Sequence, residues 1–137
     1  MRKPVVELFE KPSRITKSVI SDSEVLYSAN FRLRIRSRDE EDTHVILNTV
    51  SLVARQGRGL RSRELCLSRD SKRTDSSLIV KPKHDETIQI FLRNNQYSQE
   101  WKTDINLDKP YRWEIDNIVI SLRPSISKAL SFTGKAE

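Results

Sequence analysis

Residues Val25 to Arg36, VLYSANFRLRIR, keep a period of two over their whole length. Val25, Tyr27, Ala29, Phe31, Leu33 and Ile35 fall on one side. Leu26, Ser28, Asn30, Arg32, Arg34 and Arg36 fall on the other. Successive side chains point to opposite faces of a β-strand, whereas a helix would scatter this pattern around its axis. The stretch therefore predicts a long strand, apolar on one face and wet on the other. A strand of that kind needs a second layer to cover its apolar face, and this requirement governs what the rest of the chain must supply.

The rest of the chain supplies more strands. Val5 to Phe9 lies between Pro4 and Pro12, and Ile15 to Ile20 is a weaker candidate. Val45 to Ala54 is rich in Val, Ile, Leu and Thr, which suits a strand covered on both faces. The acidic run Asp39-Glu40-Glu41-Asp42 separates it from the first long strand, so the pair reads as a hairpin around a solvated turn. Leu60 to Leu67 follows the break QGRG, with Leu65 and Leu67 inward. Ser68 to Ser77 is a polar loop, and Leu78 to Val80 is a short strand before Pro82. Thr87 to Arg93 aligns Ile88, Ile90 and Leu92, and Trp101 to Leu107 follows. Tyr111 to Leu122 switches its apolar face, which predicts a bulge near Asp116-Asn117. In the tail, Ile126, Ala129 and Leu130 would share a face of one helical turn.

Seven to nine strands with regular breaks predict an all-β, antiparallel two-sheet β-sandwich of immunoglobulin-like or jelly-roll topology. A small OB-like barrel is the alternative. One domain covers residues 1–124, and 125–137 form a short C-terminal tail. The layout is similar to immunoglobulin-like sandwiches in general, and KPKHDETIQIFL, Lys81 to Leu92, looks like the proline-then-strand opening common in them. That resemblance implies a fold and no activity.

Charge narrows the partner. The chain of 137 residues has 25 basic and 19 acidic side chains, a formal +6. Arg55, Arg58, Arg61, Arg63, Arg69, Lys72 and Arg73, set against Glu64 and Asp70, give that one segment +5. A local basic excess suits nucleic acid, an anionic membrane surface or an acidic protein. Arg32, Arg34, Arg36 and Arg38 would make a second basic element, a ladder with steps of roughly 6.7 Å on one strand face. Two readings of the ladder stay open: carboxylates such as Glu114 or Glu86 pair with it across strands, or it contacts an acidic partner through bidentate guanidinium bonds. If the strands were neighbours, loop and ladder would form one continuous basic surface, enough for phosphate contacts. Tyr97, Trp101, Tyr111 and Trp113 are candidates for stacking on single strands, although their spacing equally suits core packing.

Catalytic and metal chemistry is thin. His44, His84 and Cys66 lie in three segments, so a Cys/His zinc site would need a carboxylate to complete it. His84 and Asp85, adjacent on a strand, would point to opposite faces. Cys66, the only cysteine, excludes an intrachain disulfide, fits a reducing compartment, and has no catalytic signature around it. No GxGxxG and no GxxxxGK[ST] is present. Glu114 and Asp116 of WEID share a strand face, a weak carboxylate pair for a metal-dependent hydrolase. No apolar run approaches the roughly 20 residues of a membrane span, and the first residues have no signal-peptide core.

The sequence therefore leads to an expectation of a non-enzymatic binding or assembly module without a cofactor or metal. Its contact surface is Arg32, Arg34, Arg36, Arg38, Arg55, Arg58, Arg61, Arg63, Arg69, Lys72 and Arg73. The expected partner is a protein or a second copy of the chain, with nucleic acid, as in a coat-like structural subunit, the alternative. The expected location is intracellular, or within a particle assembled there.

Overall fold

A computed structural model describes residues 4–38, 40–69, 76–97, 105–123 and 129–135. It is all-β and antiparallel. The strands are β1 (Val5–Leu8), β2 (Thr16–Ser21), β3 (Glu24–Arg36), β4 (Thr43–Gln56), β5 (Arg63–Ser68), β6 (Ser76–Val80), β7 (Asp85–Tyr97), β8 (Arg112–Arg123) and β9 (Ala129–Lys135). They form one curled sheet in the order β1-β3-β7-β5-β4-β8-β9, with β2 also on β3 and β6 also on β4. The curl makes a half-barrel, and among the described residues no pairing between β1 and β9 closes it.

The sheet has two halves built on one plan. In the first, β3 pairs along its full length with β7, and its other edge is shared by β2 and β1. In the second, β4 pairs along its length with β8, and its other edge is shared by β6 and β5. A single residue pair, Ser68 with Arg93, joins β5 to β7 and so joins the halves. Each long strand has a gap where its two short neighbours fail to meet, and each gap is filled. On β3, Phe9 and Ser13 donate their backbone N–H groups to the carbonyls of Arg32 and Asn30 at 2.8 and 2.7 Å. On β4, the Arg69 N–H reaches the carbonyl of Val50 at 2.9 Å, and its guanidinium reaches those of Leu47 and Asn48 at 2.7 and 3.2 Å. Buried carbonyls left without donors are costly, so these fillers are part of the fold.

The core lies between the halves. The apolar face of β3 is buried throughout, as its alternation predicts. It meets Ile90 and Leu92 of β7, Leu47 and Leu52 of β4, Leu65 and Leu67 of β5, and Ile118 and Ile120 of β8 in one cluster. Each such side chain contributes on the order of 1.5–3 kcal/mol when fully buried. The predicted bulge is present: Ser51 pairs with Asn117 and Leu52 with Ile115, which leaves Asp116 unmatched on β8.

Five local expectations give way. The hairpin of the two long strands is absent: β3 pairs with β7 and β4 with β8, and the arch, the link from Arg36 to Thr43, connects one half to the other. Both strands have an apolar face, and facing each other across the core buries both, which side-by-side pairing would not do. Ser37 and Thr43, both buried, hydrogen-bond at 2.8 Å beneath this arch. β4 is covered on both faces only from Val50 to Ala54, beyond a bulge between Leu47 and Thr49. The strand predicted from Leu60 starts at Arg63, because Gly57 and Gly59 take φ of 85° and 62° and turn residues 59–61 into a 3-10 turn. Finally, Ala129 and Leu130 belong to a strand on β8 and not to a helical turn. Of the strand predicted over Trp101 to Leu107, residues 101–104 lie outside the described residues, and Ile105 to Leu107 is not a strand.

Candidate functional site

The arginine ladder has the geometry its sequence implies, but carboxylates occupy most of it. Arg34 of β3 sits opposite Glu7 of β1 in register, and its Nε donates to Glu7 at 2.8 Å. Its guanidinium also lies 5.2 Å from the ring centre of Phe9, within cation–π range. Arg36 sits opposite Asp85 of β7 and donates two hydrogen bonds to it, at 2.5 and 3.0 Å. Those bonds hold the Asp85 carboxyl below the ordinary carboxylate value and raise Arg36. Arg32 approaches Glu10 at 3.7 Å. The partners are thus Glu10, Glu7 and Asp85. Glu114, one of the two acids suggested by the sequence, pairs elsewhere.

Arg55 is also committed. It donates to Glu114 of β8 at 2.6 Å and to Glu64 of β5 at 2.7 Å, and the bond to Glu114 is the main reason its pKa is raised. Arg112, which faces Arg55 in register, shares Glu114 at 3.9 Å and donates to the Gly57 carbonyl at 2.9 Å. Arg69 fills the gap on β4. Arg58 and Arg63 are exposed, and Arg61 ends the 3-10 turn. Lys72 and Arg73 lie outside the described residues.

Among the described residues, the register sets the ladder apart from the arginines of 55–63. Ser28, Arg93, Ser68 and Ser51 make one row across β3, β7, β5 and β4. From that row β3 climbs toward Arg36, while β4 descends toward Gln56. Arg34, Arg36 and Arg38 therefore lie toward the arch end of the molecule. Arg55, Arg58, Arg61 and Arg63 lie toward the opposite, loop end.

At the arch end Arg36, Ser37, Arg38 and Lys83 line an open cleft of about 570 Å³. Arg38 is exposed and makes no ion pair among the described residues. Lys83 is the third residue of a turn closed by a hydrogen bond from the His84 N–H to the Lys81 carbonyl, 3.1 Å. Pro82 precedes it, and Lys83 takes φ +60°, the only described non-glycine residue with positive φ. Glycine or asparagine is usual at such a position, and a lysine there is strained. A bridge between Ser37 and Pro82 ties this turn to the arch, and the His84 Nδ1 lies 2.8 Å from the Pro82 carbonyl. Sequence reasoning passed over Lys83. The Pro82-Lys83 pair signals a turn, but only the bridge to Ser37 brings it beside Arg38.

A second cleft, about 450 Å³, lies at the loop end between residues 11–14 and 107–113. Its walls are tied together: the Ile15 N–H donates to the Tyr111 hydroxyl at 2.8 Å, and Arg14 donates to the Leu107 carbonyl at 2.9 Å. Tyr111 packs edge-on to buried Trp113, 6.0 Å between ring centres. These two aromatics are packing residues. Tyr97 is exposed, and Trp101 lies outside the described residues.

The nucleophile-bearing residues meet at the bulge. The Ser51 hydroxyl donates to Asp116 at 3.1 Å and lies 3.1 Å from the Cys66 thiol, which is 3.9 Å from the same carboxylate. Among the described residues no imidazole hydrogen-bonds to this cluster, and its one carboxylate is that of Asp116. Among them no group of three His, Cys, Asp or Glu side chains is placed to hold a metal ion, and no helix is long and apolar enough to cross a membrane. Comparison with known proteins finds no matching family, no matching curated protein and no matching solved structure.

Proposed function

We propose that this chain is a non-enzymatic binding or assembly module whose arch end contacts an acidic segment of a protein partner or of a second copy. In this reading the two halves of the curled sheet act as the two sheets of a β-sandwich, and the arch and the Lys81–His84 turn are loops carried at one end of it. The observation that carries the proposal is the cleft of Arg36, Ser37, Arg38 and Lys83. Arg38 stands beside a lysine held in a strained backbone conformation, and strain of this kind is maintained only where the surrounding structure imposes it, commonly at ligand clamps. Arg36, oriented by Asp85, lines the same cleft. Guanidinium and ammonium groups around an open, polar cleft suit carboxylates that arrive on an extended chain.

The test is fluorescence anisotropy with a labelled oligoglutamate peptide across a salt series. The wild type should bind at low salt and release as salt rises, because exposed charges are screened within about 10 Å at 0.1 M. Replacing Arg38 and Lys83 together with alanine should weaken binding by about tenfold, the loss of one to two charge-assisted contacts. Equal binding by the two proteins would overturn the proposal. A short DNA strand that binds far more tightly than the peptide would replace it with a nucleic-acid reading.

A further inference from the structure

The loop end has a different chemistry. Leu60, at the centre of the 3-10 turn, is fully exposed, with a relative accessibility of 107%. The turn lies beyond the paired ends of β4 and β5 at Gln56 and Arg63. Gly57 and Gly59, both with positive φ, set the shape of the turn. A Cβ on Gly59 would meet nothing within 4 Å, so that glycine serves the backbone conformation and does not make room for a neighbour. Arg112 holds the turn from below through the Gly57 carbonyl. The leucine is thus presented by a braced loop.

Two further apolar spots lie toward the same end. Below the row that joins the halves, β7 descends to Tyr97, which pairs with Glu24 at the start of β3. β2 and β3 turn there at Asp22-Ser23. Tyr97 is 51% exposed, and Val19 and Ile20 of β2 are 70% and 54% exposed. Arg14, Lys17, Arg58, Arg63 and Lys109 are exposed toward this end, together with the acids Asp22, Glu64 and Asp108.

We propose that the loop end docks on an anionic phospholipid surface. Leu60 enters the boundary between headgroups and acyl chains, and the basic residues around it lie against lipid phosphates and carboxylates. Apolar side chains ringed by basic ones bind such surfaces by combining buried apolar area with attraction to anionic lipid. Tyrosine suits the same depth, having an apolar ring and a polar tip. A nucleic acid would meet the arginines but offers little to an aliphatic side chain at the apex of a turn. A flat anionic slab with an apolar interior meets separate apolar tips at one end together.

The experiment is sedimentation of the full chain with vesicles of phosphatidylcholine alone, and of phosphatidylcholine mixed with phosphatidylserine, at low and high salt. The wild type should sediment with the mixed vesicles at low salt and not with phosphatidylcholine. Leu60→Ser should lower vesicle affinity by about tenfold, the transfer loss expected for one leucine. It should leave the thermal midpoint unchanged, since Leu60 has no packing to lose. Leu60→Trp should give a blue-shifted emission on the mixed vesicles. Absence of binding to them at low salt would overturn the proposal. So would bound Leu60→Trp protein without a shift, or Leu60→Ser binding as well as wild type. If binding is lost in the Arg38 and Lys83 double variant and kept in Leu60→Ser, the vesicles are held by the arch end and the proposal fails.

Discussion

At the arch end, Arg34 and Arg36 stand on a strand and meet carboxylates in register; at the loop end, Arg58 stands beyond the strands on a turn. Glu7 and Asp85 face Arg34 and Arg36 across β1 and β7, so most of the ladder is neutralised where it stands. Among the described residues no strand pairs with the loop 57–62, and Arg58 is exposed there. A charge on a sheet has its partner chosen by pairing, and a charge on a turn does not. Counting arginines therefore says little about which of them are available. Arg55 and Arg69 belong to the same basic segment as Arg58, yet one serves a cross-strand network and the other serves backbone carbonyls.

That contrast breaks most sharply at Arg69. Arg69→Ala removes donors to the carbonyls of Leu47 and Asn48 in the gap of β4, and should cost about 1–3 kcal/mol in urea unfolding. Arg58→Ala, on the turn before β5, should change stability by less than about 0.5 kcal/mol. Equal effects would mean that the gap on β4 is not held by the guanidinium. Next comes the arch. Thr43→Val removes the hydroxyl that bonds to Ser37 below the arch, and should cost about 1 kcal/mol, read from the same unfolding curves. A neutral result would show that the crossing is held by core packing alone.

Lys83 sharpens the comparison in the other direction. Lys83→Gly relieves the left-handed lysine and should stabilise the protein by about 0.5–1 kcal/mol while weakening oligoglutamate binding. Stabilisation without loss of binding would separate the strained turn from the cleft. The smallest effect concerns pH. Arg36 lowers the pKa of Asp85 in the folded state, so this pair stabilises the fold at pH values above the unfolded Asp value. That contribution fades as pH falls through the lower folded value, where Asp85 takes up its proton. The thermal midpoints of wild type and Asp85→Asn should therefore differ at neutral pH and converge in acid. A gap that persists in acid would mean that Asp85 acts through something other than its charge.

Much of this was legible in the residues. The alternation from Val25 to Ile35 carries the buried face of β3, because a period of two has only one strand reading. By the same period Leu65 and Leu67 turn inward and Ile88, Ile90 and Leu92 share one face, and all five are buried or half-buried. The bulge at Asp116 was legible because the apolar face of β8 changes sides there. The sequence could not say which strands pair. β3 and β4 are adjacent in the chain and suit a hairpin, but they lie in different halves, because burial of two apolar faces is a property of the whole sheet. The same limit hid the partners of the ladder. That Arg34 meets Glu7, and that Lys83 comes beside Arg38, depends on register and on one bridge between Ser37 and Pro82. Local alternation determined which side of each strand turns inward, since that is set by backbone geometry residue by residue. The tertiary structure decided which charges are used up and which are offered, since that depends on what a distant strand places opposite them.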